Sequence, residues 1–485
     1  MFLGSCTPKA NLTYYKPNTF YKAHYQDSVY FFTFTDITQK NAKGVYYRAG
    51  NGLTVDPVDF KYSLRKISKK IPFVIDSAQI YNVPTKPALY PERFKKELYQ
   101  VEVIKDVTFA RVQGFWDSYI TDNESYFNIF AKGVSSTIRT RDLELKMDIY
   151  MPINAGNSNR PFLMVIHGGA FYMGDKESTP IVAFCRYFAS LGYTTASINY
   201  RLGFLPSKTS VERAGYQALQ DAHAAMRFMV ENRSQYQIDT SLLFVCGTSA
   251  GAITSLNLGF MQNSSRPEST KKGFLNSDLG NIENSGNLLN NNFSIKAIGN
   301  MWGAINDIDL LKSADIAVVS FHGDKDRIVP YKHDYPFEII SKEVGKVIFG
   351  KMYGSYEIHK MLQNLKRREK LYTFENFDHE PHVDAKGMPN SKHAFIKTNM
   401  ADFFYHSIVP DPLEIIRNNQ NLQIYTINSS NINNILWGIE GGFIIDQSNN
   451  EVRVIWISNS KNKTLTVSGR YNNGAPFYKT INING

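Results

Sequence analysis

Gly247-Thr248-Ser249-Ala250-Gly251 follows an apolar run, Leu242 to Val245, and opens a helical stretch. A G-x-S-x-G in that position builds a tight strand-to-helix elbow that presents a serine, and glycines flank it because a side chain there would block the turn. Serine alone is a weak nucleophile at neutral pH. The elbow therefore implies a general base, an acid to orient that base, and amide donors for an oxyanion.

Working outward from the elbow, strands and helices interleave. Val107 to Ala110 and Leu143 to Tyr150 read as an antiparallel entry into a sheet. Phe162 to Ile166 reads as a buried strand, Pro180 to Leu191 as a helix and Thr194 to Asn199 as a strand. Ala218, Ala222, Ala225, Met226 and Met229 recur at helical spacing and mark one apolar face. Strands at Ile295 to Gly299, Ile316 to Phe321 and Leu371 to Phe374 continue the series, with helices near Tyr356 to Leu365 and His393 to Phe404. Alternation of this kind predicts an α/β fold with a mostly parallel sheet flanked by helices. Residues 262–292 turn to Asn, Ser, Gly and Lys directly after the nucleophile's helix, and read either as a lid or as a plain surface excursion.

The chain of 485 residues is too long for one ordinary core. Residues 1–100, rich in Tyr, Phe and Thr with turn signals at Asn51-Gly52 and Asp56-Pro57, read as short strands of unassigned role, and 101–411 as the α/β domain. After Pro410-Asp411-Pro412 short strands separated by turns take over. Their spacing predicts that 412–485 is a small all-β, immunoglobulin-like sandwich.

His167-Gly168-Gly169-Ala170-Phe171 sits just after the strand ending at Ile166, where glycines let backbone amides approach a reacting carbonyl oxygen. Gly168 and Gly169, with the Ala250 amide after the serine, are the expected oxyanion donors. The acid should lie at a later strand end, in Phe321-His322-Gly323-Asp324-Lys325-Asp326. Asp326 is the first choice and Asp324 the alternative, either of which could instead serve its own turn. The base should come last, in Asp378-His379-Glu380-Pro381-His382. Of the two histidines His379 lies closer to the strand end and is preferred, with His382 as alternative. The H-x-x-H spacing also hints at metal, but no third ligand grouping supports it, so neither metal nor cofactor is expected.

A formal charge of +10 raises the question of an anionic partner, yet Lys366-Arg367-Arg368 and Lys69-Lys70 are short and no basic stripe interleaves with aromatics. A nucleic-acid partner is therefore not expected. Three cysteines, Cys6, Cys185 and Cys246, make no disulfide framework, and the latter two fit as buried filler. No apolar run reaches the roughly 18 residues that span a bilayer. Leu3-Gly4-Ser5-Cys6 looks like the end of a bacterial lipoprotein signal, which would place the protein outside the cell, anchored through Cys6.

From about Val101 to Val409 these motifs together resemble the α/β-hydrolase superfamily, specifically esterases of the hormone-sensitive-lipase and carbohydrate-esterase type. The resemblance implies Ser249 as nucleophile, Asp326 as orienting acid, His379 as base and Gly168, Gly169 and Ala250 as oxyanion donors. It implies a small ester or acylated polysaccharide as substrate, with acetyl or feruloyl as the acyl group. Asn199-Tyr200-Arg201-Leu202 resembles a stretch that shapes the floor of the site in that family. Two departures stand out. Ala170 occupies the place of a third glycine, which is tolerable if the backbone stays at negative φ, and Asp378-His379 stands where Gly-His is common. The tail, with Trp437-Gly438 and Val452 to Trp456, resembles the PKD-like, immunoglobulin-type modules appended to secreted enzymes of Bacteroidetes-like bacteria. That implies export and association with a surface or polysaccharide, although Trp456 fits an alternating strand and is expected in a core. Competing readings are a serine peptidase on the same fold and a non-catalytic surface-binding protein.

Overall fold

The computed structural model describes residues 12–74, 78–115, 140–156, 159–205, 207–274, 276–339, 342–409, 413–429 and 431–483. Cys6, with its lipid-anchor expectation, and Pro410-Asp411-Pro412 lie outside them. The chain forms two compact units: Arg93–Val409, and a second made from both ends, Met1–Glu92 with Pro410–Gly485.

The larger unit is built on eight strands: β1 (Val101–Gly114), β2 (Arg141–Pro152), β3 (Arg160–Ile166), β4 (Thr194–Ile198), β5 (Ile238–Thr248), β6 (Ile295–Met301), β7 (Ala317–Gly323) and β8 (Glu369–Phe374). Their order in the sheet is β1-β2-β4-β3-β5-β6-β7-β8. The first two join antiparallel, and every neighbouring pair from β4 to β8 is parallel. Central parallel strands are covered on both faces and so read as apolar runs, as in β3, where all seven residues are buried and Phe162 to Ile166 are all apolar. Helices α1 (Thr179–Leu191), α2 (Lys208–Glu231), α3 (Ala250–Phe260), α4 (Lys342–Ile348) and α5 (Ser355–Asn364) lie between the strands in sequence, and α6 (Ser391–Ile408) follows the last of them. This is the α/β-hydrolase architecture.

The order of strands fixes where a site can form. The chain leaves β3 toward β4 on one side and later returns to β5 on the other, so a crevice opens beyond the carboxyl ends of β3 and β5. Ile166 pairs with Gly247 across this junction, which brings the loop after β3 against the elbow after β5.

The α2 helix carries its predicted apolar face inward, with Ala218, Ala222, Ala225, Met226 and Met229 fully buried. Ser207 caps its start by accepting the Ser210 amide at 3.2 Å. Its other side holds the polar insertion. Tyr216 donates to the Gly280 carbonyl (2.9 Å), Gln220 to those of Leu279 (2.8 Å) and Asn281 (3.0 Å), and Arg227 to that of Ser285 (2.9 Å). The described residues 279–285 are thus strapped along a core helix, whose side chains satisfy carbonyls of this polar segment.

In the smaller unit a five-stranded antiparallel sheet runs in the order Val58–Ser63, Asn41–Ala49, Ser28–Ile37, Phe20–Tyr25, Gln79–Ile80. The C-terminal residues form two further, mainly antiparallel sheets. The sequence reading set 1–100 and 412–485 apart, whereas the structure joins them. Thr54–Val55 pairs in parallel with Trp456 and Ile457, and the Phe31 ring stacks on Phe443 at 4.4 Å within an apolar cluster drawn from both ends. Trp456 is buried, its ring edge-on to Tyr425 at 6.4 Å. Cys185 and Cys246 are buried in the larger unit, where burial pushes both thiols up and keeps them unreactive.

One buried ion pair ties the sheet to α2. Arg201, after β4, meets Asp221 of α2 through Nη2 (2.7 Å) and Nε (2.9 Å), and its own amide also donates to that carboxylate (2.8 Å). Removing one partner strands the other charge in a dry interior. Asp221→Ala should therefore lower unfolding stability by about 3–5 kcal/mol in a urea titration, several times the effect expected for the exposed pair Lys346–Glu343.

Candidate functional site

Gly247 and Gly251 explain the elbow without any unusual torsion of their own. A Cβ on Gly251 would lie 2.2 Å from the Ile166 carbonyl oxygen, and one on Gly247 would lie 2.3 Å from the Gly251 backbone. With both absent, the first turn of α3 closes onto the end of β3. Ser249, between them, is left at φ 52° and ψ −117°, a sparsely populated conformation that costs about 1–3 kcal/mol for a residue with a side chain.

The structure brings Ser249, His379 and Asp326 into one hydrogen-bonded chain. His379 Nε2 stands 3.0 Å from Ser249 Oγ, and His379 Nδ1 stands 2.7 Å from Asp326 Oδ2. Asp326 Oδ1 accepts the amides of Ile328 (2.8 Å) and Val329 (3.0 Å). Burial alone would favour the neutral acid, but the hydrogen bonds from His322 and His379 outweigh it and hold the carboxyl well below the usual carboxylate range. For His379 burial opposes the charged ring. The Asp326 hydrogen bond and charge prevail, helped by Glu380 and Asp378, and the ring's pKa rises above its ordinary 6.5.

The alternatives occupy other positions. Asp324 accepts the Asn376 amide at 2.6 Å and so serves the loop backbone. His382 is buried against Trp302 at 4.5 Å, and burial, with His393 and His379 nearby, pushes its pKa down to about 3. Asp378, where glycine is common, ties two loops together: its carboxylate accepts the amides of Arg327 (3.0 Å) and His379 (2.9 Å) and the Arg327 Nε (2.6 Å). Gly323 permits the same approach, since a Cβ there would come within 2.3 Å of the Phe377 carbonyl.

The loop after β3 lies beside the serine. A Cβ on Gly168 would sit 3.2 Å from Ser249 Cβ, and among the described residues no acceptor pairs with the amides of Gly169 or Ala250. Ala250 also opens α3, so its N–H points out of the positive end of a helix. Tyr200 holds this loop by donating to the carbonyls of His167 (2.9 Å) and Gly168 (3.2 Å). The His167 ring stacks on Tyr200 and donates from Nδ1 to Gly168 O (2.8 Å), and burial pushes its pKa down to about 4. One expectation is corrected. Ala170 has a φ of +54°, and Phe171 follows at +61°, so both lie in the left-handed region rather than at negative φ. Each costs about 1–2 kcal/mol, held in place here because the Tyr172 and Met173 amides both turn back onto Gly169 O.

Two clefts of similar size meet at Ser249. One, of about 320 Å³, is lined by Phe171, Tyr216, Ile253, Met261, Phe337 and Met352 among others; the second, of about 310 Å³, is lined by His167, His379, Glu380, His382 and Asp384. The acidic group Asp106, Asp148 and Glu177 closes around the Lys176 ammonium at 3.2, 2.8 and 2.9 Å, so a protein cation fills its centre.

Four residues that the sequence reading passed over belong to this site. His322 reaches Asp326 Oδ2 at 3.1 Å, and behind it stand Ser355 and Asn300. Trp302, fully buried, packs edge-on to His379 at 6.4 Å. Position at the carboxyl end of a parallel strand was the available signal for Trp302, directly after β6, and for His322, near the end of β7.

Residues 147–315 match the BD-FAE family, an esterase family of this fold. Gut esterase 1 of Caenorhabditis elegans is 32% identical over 110 residues, 22% of this chain and 19% of that protein. Juvenile hormone esterase of Tribolium castaneum is 28% identical over 124 residues, 25% of this chain and 21% of that protein. The chain thus spans about a fifth of the length of these relatives. Among solved structures, Thermogutta terrifontis esterase 2 phosphorylated by paraoxon aligns over 55% of this chain and 90% of its own, with 16% identity and a TM-score of 0.38. A truncated carbohydrate esterase from gut microbiota aligns over 66% and 99%, with 17% identity and a TM-score of 0.38.

The charges around His379 make a direct test. Its titration, followed by NMR of the ring protons, should show a midpoint above 6.5, and Glu380→Gln should lower that midpoint, since a negative neighbour that favours the imidazolium is gone. An unmoved midpoint in the variant would remove Glu380 from the account.

Proposed function

We propose that the unit Arg93–Val409 is a serine carboxylic-ester hydrolase, and the observation that carries this reading is the Ser249–His379–Asp326 chain beside the amides of Gly169 and Ala250, which meet no acceptor among the described residues. The family match over 147–315 and the esterase names of the relatives support it.

In this mechanism Ser249 Oγ attacks the ester carbonyl carbon while its proton passes to His379 Nε2. The carbonyl oxygen takes the negative charge and is met by the amides of Gly168, Gly169 and Ala250. Asp326 stays ionised and stabilises the imidazolium. Collapse of the intermediate breaks the bond to the alcohol oxygen, which leaves with the proton from His379, and the acyl group remains on Ser249. Water, deprotonated by the same ring, then releases the acid and restores the serine.

The direction of that proton transfer orients the substrate. Because His379 hands its proton to the leaving alcohol, the alcohol occupies the cleft that contains His379, Glu380 and Asp384, whose polar groups suit a sugar. The acyl group takes the opposite cleft, which is mostly apolar and far larger than an acetyl group requires. An aromatic acyl group such as feruloyl on a polysaccharide fits this pairing better than acetyl. The tail's resemblance to export-associated modules supports work outside the cell, on polysaccharide.

Ser249→Ala should reduce kcat/KM on p-nitrophenyl and feruloyl esters by about 10⁴-fold or more while the protein stays folded; retention of activity would sink the hydrolase reading. Acyl preference can be tested at Gly215, which lies in α2 and lines the apolar cleft. A Cβ there meets only two Phe171 carbons, at 3.7 and 3.9 Å, and leaving glycine improves the helix. Gly215→Leu should cut kcat/KM on feruloyl esters by about 10-fold or more and leave acetyl esters within about 3-fold. Equal loss on both would place the acyl group elsewhere.

A further inference from the structure

We propose that His322 is a positioning residue for the triad: a neutral imidazole, carrying its one proton on Nε2, that clamps Asp326 and sets how strongly that carboxylate holds His379. This rests on reading Ser249, His379 and Asp326 as the reacting groups.

The tautomer follows from the partners. His322 Nε2 faces two acceptors, Asp326 Oδ2 at 3.1 Å and the Val329 carbonyl at 3.1 Å, so Nε2 must carry a hydrogen. Nδ1 lies 2.7 Å from Ser355 Oγ, and Ser355 accepts from Asn300 Nδ2 at 3.0 Å. The Ser355 hydroxyl proton has two possible destinations, His322 Nδ1 at 2.7 Å or the Gly303 carbonyl at 3.4 Å, and the shorter contact assigns it to Nδ1. Asn300 is fixed in turn, with Nδ2 also donating to Ser320 Oγ (2.9 Å) and Oδ1 accepting the Gly303 amide (3.0 Å). Every proton in the chain therefore points the same way, from Asn300 through Ser355 and His322 to Asp326. All of these side chains are buried.

Two consequences separate this role from mere packing. First, Asp326 Oδ2 serves both histidines, so the hydrogen bond from His322 draws density from the same oxygen that binds His379 Nδ1–H. Losing it makes the carboxylate more basic, tightens its hold on protonated His379, and moves the acid limb of kcat/KM to higher pH. Second, a neutral donor adds no second cation beside Asp326, so the carboxylate's charge stays available to the imidazolium formed during turnover. The groups facing His379 are Asp326, Asp378, Glu380, His382, Trp302 and Ser249, and those facing His322 are Asp326, Ser355, the Val329 carbonyl and the Tyr331 ring. His322 lines neither cleft, so substrate affinity should not depend on it.

The experiment has two arms. In the full chain labelled with ¹⁵N-histidine, long-range proton–nitrogen spectra at neutral pH should assign His322 as the Nε2–H tautomer, whatever the substrate proves to be; an Nδ1–H or doubly protonated ring overturns the proposal. In the second arm, His322→Asn places its amide near the old Nδ1 and loses the donor to Asp326, whereas His322→Gln can place an N–H about where Nε2–H stood. Per active site titrated with an organophosphate, the Asn variant should lose about 10-fold or more in kcat, keep KM within about 2-fold, and shift the acid limb upward by about half a pH unit. The Gln variant should recover most of both. An unmoved limb in an active Asn variant, or a Gln variant no better than Asn, overturns the proposal. If the Asn variant does not fold, the wild-type spectrum decides. Failure of Ser249→Ala to abolish activity would instead refute the hydrolase reading and leave the His322 tautomer standing as a structural fact.

Discussion

Everything at the site depends on how closely the first turn of α3 lies against the end of β3. The contact is backbone on backbone, with no room for a methyl group at Gly247 or Gly251. It forces Ser249 out of ordinary torsion space, and the buried strand β5 before it and the buried helix α3 after it hold it there. A hydroxyl on such a bend projects from the carboxyl edge of the sheet. The Ala250 amide and the β3 loop come to it as part of the same closure, so nucleophile and amides share one cause.

The electrostatics then distinguish one ring from several. His167, His382 and His393 are all shifted downward by burial and stay neutral, whereas His379 alone among them has a carboxylate on its far nitrogen and is shifted upward. A proton released near Ser249 has one favourable destination. Asp326 can remain ionised in so dry a place because four N–H groups converge on it, two from the backbone and two from imidazoles. The carboxylate is thus as much a product of the β7 loop's turn as of the histidines.

What could be read in the sequence was what local chemistry dictates. The elbow is a five-residue pattern, the central strands at Phe162 to Ile166 and Leu242 to Val245 are continuous apolar runs, and α2 announces itself by alanine and methionine at helical spacing. Asp324 and Asp326, or His379 and His382, could not be separated so cleanly. Two or three residues of offset within a loop decide whether a side chain faces a backbone amide or a neighbouring ring, and no periodicity records that. The φ of Ala170 was hidden for a related reason: its torsion is set by two amides folding back on Gly169, not by alanine's own preference. His322 stood in plain view beside Asp326, yet its role needs Ser355, which lies 33 residues onward. The joining of the chain's two ends was equally hidden, because the pairing of Thr54 with Trp456 joins segments remote in sequence.

The wall of the apolar cleft shows how such remote contacts shape the site. Met261, Ser265 and Pro267 line it; Met261 directly follows α3, and Ser265 and Pro267 belong to the polar segment after it. A segment so rich in Asn, Ser and Gly has little apolar surface with which to fix itself. Instead Arg213, Tyr216, Gln220 and Arg227, on the outward side of α2, donate to its carbonyls. The inward side of the same helix is locked into the sheet by Ala218, Ala222 and Met226 and by the Asp221–Arg201 pair. The cleft wall is therefore positioned by the core through one helix, and the cleft exists before any substrate arrives, so little of the binding energy need be spent on ordering it. The same helix also contributes Val211, Glu212, Gly215, Tyr216 and Leu219 to the cleft lining, so one element both positions the wall and forms part of it.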